Sequence, residues 1–120
     1  MKHKISPHVQ IYSFPITAIS SITNRVTGLG LTGIFIGSGL VSLAGYDPIE
    51  EYKKLKQPYK TLLNYTVTFP TVYHTYGGIR HFIWDRYPSL LNNNAVKRSS
   101  FILLGSSLLS TYFINKFIDK

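Results

Sequence analysis

The chain has 120 residues, 13 Lys and Arg against 5 Asp and Glu, a formal net charge of +8, and no Cys. That length suits one compact domain, and the lack of Cys excludes both a disulfide framework and a thiolate-held iron–sulfur cluster within it. So basic a chain could bind nucleic acid, but its Lys and Arg stand at the ends of apolar runs, so a bilayer rather than nucleic acid is the expected partner.

Residues 1–15 read as an extended arm, because Ser6-Pro7-His8 and Phe14-Pro15 forbid a long helix there. The arm has no apolar core and no small-residue cleavage site, so it does not read as a secretory signal. Nor is its start an Arg/Ser-rich transit peptide. Residues 16–120 form the expected membrane domain. Its first helix begins after Pro15, at about 16–46, with a polar first third and then 21 uncharged residues from Val26 to Tyr46. A helix needs about 20 largely apolar residues to cross a bilayer. Gly33 and Gly37 form a GxxxG pair that would permit close helix approach.

Asp47 to Lys60 mixes acids and lysines, reads as solvated, and has room for a short surface helix. The second long helix is expected at about 58–85 around 19 uncharged residues, Thr61 to Ile79. It is polar for a span, with Asn64, Thr66, Thr68, Pro70 and His74, so its polar face should meet protein or cofactor rather than lipid. Pro70 lies four residues before His74 and predicts a kink there. Asn92-Asn93-Asn94 reads as a turn, and the third helix is expected at about 97–118 around 17 uncharged residues from Ser99 to Asn115. A soluble bundle would carry charges at helical spacing within these runs, and none is present. The expected fold is therefore an all-α membrane protein with three transmembrane helices. The arm and the Arg80–Arg98 loop would share one side, which a small excess of Lys and Arg assigns to the matrix or cytoplasm.

An imidazole inside a membrane-length segment is costly without a partner, and by default it marks a function. With no Cys, and with the only Met at the first position, a redox cofactor would have to be held by His or Tyr. His74 and His81 are seven residues apart and share one face, roughly 10 Å apart along the axis. Two ligands on one face cannot grip a haem iron from both sides, so if His74 is axial the second ligand comes from another chain. His81 and Arg80 would then lie at the membrane edge, where propionates need cationic partners. Gly77 and Gly78 would leave room for the flat ring. The other reading of His74 is a plain hydrogen bond to a neighbouring helix. Ser21 and Arg25 are four apart on one helix face. A hydroxyl and a guanidinium there suit a quinone, whose carbonyls accept hydrogen bonds and whose reduction develops negative charge. The other reading of Arg25 is an interfacial anchor.

Ser6-Pro7-His8-Val9-Gln10-Ile11-Tyr12, Phe14 to Ser21, Asn24-Arg25-Val26-Thr27-Gly28 and His74-x-x-x-Gly78-Ile79-Arg80-His81-Phe82-x-Trp84-Asp85 resemble the large cytochrome b membrane-anchor subunit of succinate dehydrogenase, respiratory complex II. The similarity covers about residues 6–87, and the third helix matches in hydropathy only. The resemblance implies a membrane anchor for a flavoprotein subunit and an iron–sulfur subunit, non-catalytic alone, in the mitochondrial inner membrane or a bacterial cytoplasmic membrane. It implies a haem b shared with a second small anchor subunit, which completes the helical bundle, with His74 as one axial ligand. It also implies that Ser21 and Arg25 help form the ubiquinone site. Two departures stand out: Asn24 replaces the family's usual His, near a haem propionate, and Tyr87 replaces a small residue. The alternative reading is a haem-free structural anchor of a respiratory complex. A transporter is disfavoured because no acidic residue lies within a span.

Overall fold

The computed structural model describes residues 15–120, so the arm expected at 1–15, with His3 and His8, lies outside the described residues apart from Pro15. The described chain is helical, without strands: α1 (Ile16–Leu43), α2 (Pro48–Lys54), α3 (Gln57–Arg86), a 3-10 turn (Pro88–Leu90) and α4 (Asn93–Ile118). It is elongated, with extents of 67 × 35 × 27 Å.

Each boundary has a local cause. Pro15 precedes α1 in extended conformation, and its carbonyl accepts the amides of Ala18 and Ile19. The helix closes three residues before the expected 46. Gly45 takes φ of +90°, and the Tyr46 amide donates back to the Val41 carbonyl, a glycine-terminated cap that β-carbon sterics deny to other residues. Asp47 then caps α2 by accepting the Ile49 amide at 2.9 Å, with Pro48 as its first residue. This helix is the short surface element expected in the loop, and Tyr52 docks it by donating to Asn64 Oδ1 at 2.9 Å. Pro58 opens α3 and Pro88 follows its end. The fourth helix begins four residues earlier than the expected 97. Asn92 is its cap, accepting the Ala95 amide at 2.8 Å, and Asn93 and Asn94 form its first turn.

The three long helices pack against one another in every pairing. What lies between them is small and polar. Ser20, Thr27, Ser100, Ser107, Thr111 and Asn115 are buried, and the buried apolar side chains are Val72, Tyr73 and Leu103. The large apolar residues point outward instead, with Leu43 86% exposed and Phe35 76%. A water-soluble bundle has the reverse arrangement. In a bilayer apolar surface is no liability, and close packing of small and hydroxyl-bearing residues holds helices together. Many surface hydroxyls are satisfied by their own helix: Thr66, Thr71 and Thr75 donate to the carbonyls of Leu62, Val67 and Thr71. The polar character of α3 is thus partly self-satisfied rather than turned toward protein. Two helices, α1 and α4, are long and apolar enough to cross a membrane. Among the described residues nothing lies within 4 Å of a β-carbon placed on Gly33 or Gly37, so the GxxxG pair makes none of the helix contacts described.

Candidate functional site

His74 lies at the α1–α3 interface. Its Nδ1 lies 3.1 Å from the Asn24 carbonyl oxygen of α1. A carbonyl can only accept, so Nδ1 carries the proton and donates. In the neutral ring this leaves the Nε2 lone pair unused, and the residue is exposed. The ring lies directly over Gly28: a β-carbon there would come within 2.8 Å of Cε1. A carbonyl that fixes the tautomer, with the opposite nitrogen open, is the usual setting of a metal-bound imidazole. The two readings of His74 are therefore compatible, since one nitrogen serves the neighbouring helix and the other remains available.

The glycines divide their roles differently from the expectation. Gly77 is buried, and a β-carbon on it would collide with Asn24 Oδ1. It makes room for α1, not for a flat ring. Gly78 meets nothing within 4 Å and stays open. Gly28, on the other helix, is the residue that clears space at His74. The Asn24 carboxamide, standing where the family's usual His would be, is wedged against Gly77, and its Oδ1 is buried without a hydrogen-bond partner among the described residues.

Ser21 and Arg25 are both exposed on α1. Ser21, Arg25 and Gly28 follow the i, i+4, i+7 spacing of one helix face, so their row leads to the His74 ring over about 10 Å. His81 is exposed on the same face of α3 as His74, with its ring edge-on to Trp84 at 5.5 Å. Arg80 departs from the expected arrangement. It is about 100° round the helix from His81 and reaches into the bundle. Its Nη1 donates to Ser100 Oγ at 3.0 Å and its Nη2 to Ser20 Oγ at 3.1 Å. The guanidinium carbon lies 4.6 Å from the centre of the Trp84 ring. Half-burial and two hydroxyl acceptors draw it inward, away from the outer edge that His81 occupies.

The residues that join these parts do not stand out in the sequence. The Tyr73 hydroxyl is fully buried and lies 3.0 Å from the Ser20 carbonyl and 3.1 Å from Ser20 Oγ. Ser20 thereby links Tyr73, the neighbour of His74, to Arg80, and Arg80 extends the link to Ser100 on α4. One sequence signal does point to them: Ser100, Ser107, Thr111 and Asn115 recur at seven- and four-residue spacing, one face of α4. Among the described residues no cluster of three or more His, Cys, Asp or Glu could hold a metal ion.

Comparison with known proteins gives the family. Residues 1–114 match the family model of the succinate dehydrogenase/fumarate reductase transmembrane subunit. The succinate dehydrogenase cytochrome b560 subunit of Dictyostelium discoideum is 36% identical over 116 residues, covering 90% of this chain and 59% of that protein. The human cytochrome b560 subunit is 33% identical over 87 residues, covering 68% of this chain and 52% of that protein. The mitochondrial inner membrane protein SHH3 of Saccharomyces cerevisiae is 27% identical over 123 residues, covering 94% and 63%. The chain thus spans between 52% and 63% of the length of these relatives. It belongs to the family of succinate dehydrogenase/fumarate reductase transmembrane subunits, cytochrome b type.

Proposed function

We propose that this chain is a three-span membrane anchor of a succinate:quinone oxidoreductase, contributing His74 as one axial ligand of a haem b and Ser21 and Arg25 to a ubiquinone-reduction site. It is a protein of the mitochondrial inner membrane, in keeping with its relatives and its apolar outer surface. The partners in this reading are a second small anchor subunit supplying the other axial ligand, an iron–sulfur subunit and a flavoprotein subunit. The third span is α3, whose 30 residues are long enough to cross and whose Thr66, Thr71 and Thr75 hydroxyls bond their own helix.

The single observation that carries the reading is the orientation of His74. Its donor nitrogen is committed to the Asn24 carbonyl, the residue is exposed, and the missing β-carbon of Gly28 lets the ring lie close against α1. These residues fit a haem held at the outer edge of the α1–α3 interface. Bound there, a haem would supply one-electron transfer. The chain's own residues hold and orient. Asn24 and Gly28 set the imidazole. His81 offers a donor at the end of the interface where propionates would lie. Arg80, one residue from His81, adds positive potential from behind. Arg25 supports the negative charge that develops on a quinone as it is reduced, and Ser21 donates to a quinone carbonyl. The chain performs no chemistry by itself.

Affinity purification from mitochondrial membranes tests the assignment. A tagged chain is expected to bring down a flavoprotein and an iron–sulfur protein in equal amounts, with succinate-dependent quinone reduction in the eluate. Recovery of the chain without either subunit would reject it.

A further inference from the structure

A groove lies across α3 from His74. A cleft of about 340 Å³ runs between α3 and α4, beneath the 3-10 turn. Tyr76, Ile79 and Ile83 line it from α3, and at 100° per residue they stand about 140–200° round the helix from His74. Ile102 and Leu103 form the opposite wall, and Leu90 and Ala95 form the mouth. The cleft is thus separate from the interface proposed for haem.

Its one charged lining residue is Arg80. That guanidinium bonds two serine hydroxyls and stacks on Trp84, but its Nε is buried without a partner among the described residues. The ion pairs among the described residues are Lys53–Glu50 and Lys54–Glu51, both in α2. Residues 1–14 contain no Asp or Glu. A half-buried cation at the membrane edge without a carboxylate is costly, so an anion brought by a ligand fits it. Arg98 adds to the pull. It is exposed, three residues after Ala95 and four before Ile102, both of which line the cleft, and so it flanks the mouth.

From Ala95 to Ser106 the cleft follows α4 for about 16 Å. Its walls are apolar, its charge is positive, and Trp84 marks the interface end. We propose that the α3–α4 cleft binds one anionic phospholipid, with its phosphate between Arg80 and Arg98 and an acyl chain between Ile79, Ile83, Ile102 and Leu103.

The intact complex, stripped of lipid in detergent and returned to nanodiscs of phosphatidylcholine doped with phosphatidylglycerol, tests this. Native mass spectrometry after re-extraction counts the retained phospholipid. The unmodified complex is expected to keep one phosphatidylglycerol. Arg98→Gln, a surface change, should weaken retention about tenfold, as loss of a charge-assisted hydrogen bond does. Ala95→Phe, which blocks the mouth without touching Arg80, should abolish it, while succinate oxidation by a soluble acceptor stays unchanged in both variants. An unmodified complex that keeps no phosphatidylglycerol, keeps phosphatidylcholine equally well, or keeps a quinone in its place overturns the proposal. So does equal retention in both variants.

Discussion

The imidazole of His74 donates across the α1–α3 interface to the backbone carbonyl of Asn24, 3.1 Å away, while its ring covers Gly28. A main-chain acceptor has a consequence for substitution at Asn24. The carbonyl remains whatever side chain stands there, so the orientation of His74 tolerates exchange of the family's usual His for Asn. Position 28 has no such tolerance, because any β-carbon would press on the ring.

Gly28→Ala is therefore expected to displace His74 without removing it. The methyl group would lie closer to Cε1 than van der Waals contact allows. The expected result is a complex that assembles but binds haem more weakly, read as haem content per purified complex. Ala at Gly30, whose β-carbon meets nothing within 4 Å, serves as the control and should keep full content. Equal content in the two variants would separate Gly28 from the site.

Arg25→Ala should lower quinone reductase turnover about ten- to a hundredfold, from a charge-assisted hydrogen bond of about 1.5–3 kcal/mol. Ser21→Ala should cost about tenfold or less, as a neutral hydrogen bond does. Succinate oxidation by an artificial acceptor that intercepts electrons before the membrane should be nearly unchanged. If both activities fall together, the two residues serve assembly; if neither falls, Arg25 is an interfacial anchor.

Tyr73→Phe removes a buried hydroxyl that lies within hydrogen-bond distance of both the Ser20 carbonyl and Ser20 Oγ. The expected cost is about 0.6–1.5 kcal/mol, measured as a lower unfolding midpoint of the solubilised complex. Ser20 keeps its bond from Arg80, so assembly should persist. An unchanged midpoint would mean that the Tyr73–Ser20 link contributes nothing to stability.

The long helices were legible because charge-free runs and proline boundaries are local signals. Gly45-Tyr46-Asp47-Pro48 marked the end of α1, though not the three-residue retreat that Gly45's positive φ and the Tyr46 amide impose. The early start of α4 was not legible, since Asn92-Asn93-Asn94 serves a turn and a capped helix start equally well. His74 stood out because it is the one imidazole in an uncharged run of membrane length, and such a group is costly without a partner. The direction of Arg80 did not, because it depends on Ser20 and Ser100, 60 and 20 residues away. The division of labour between Gly28 and Gly77 was hidden for the same reason: both meet residues of the opposite helix, a long-range pairing that spacing within one helix cannot reveal.

Topology offers a simple check in a chain with no Cys. Three spans place position 3 and position 93 on the same membrane side. Single cysteines introduced at each should react with an impermeant maleimide from the same side, the matrix. Labelling from opposite sides would reduce the spans to an even number and remove α3 from the bilayer.

The most direct measurement of the central claim is the reduced-minus-oxidised optical spectrum of the purified complex, unmodified and with His74→Ala. The account predicts a b-type α-band in the unmodified complex that is lost or strongly altered in the variant, with the flavoprotein and iron–sulfur subunits still attached in both. A b-type band unchanged in position and haem content in the variant would contradict the account, and an unmodified complex with no haem would establish the haem-free anchor in its place.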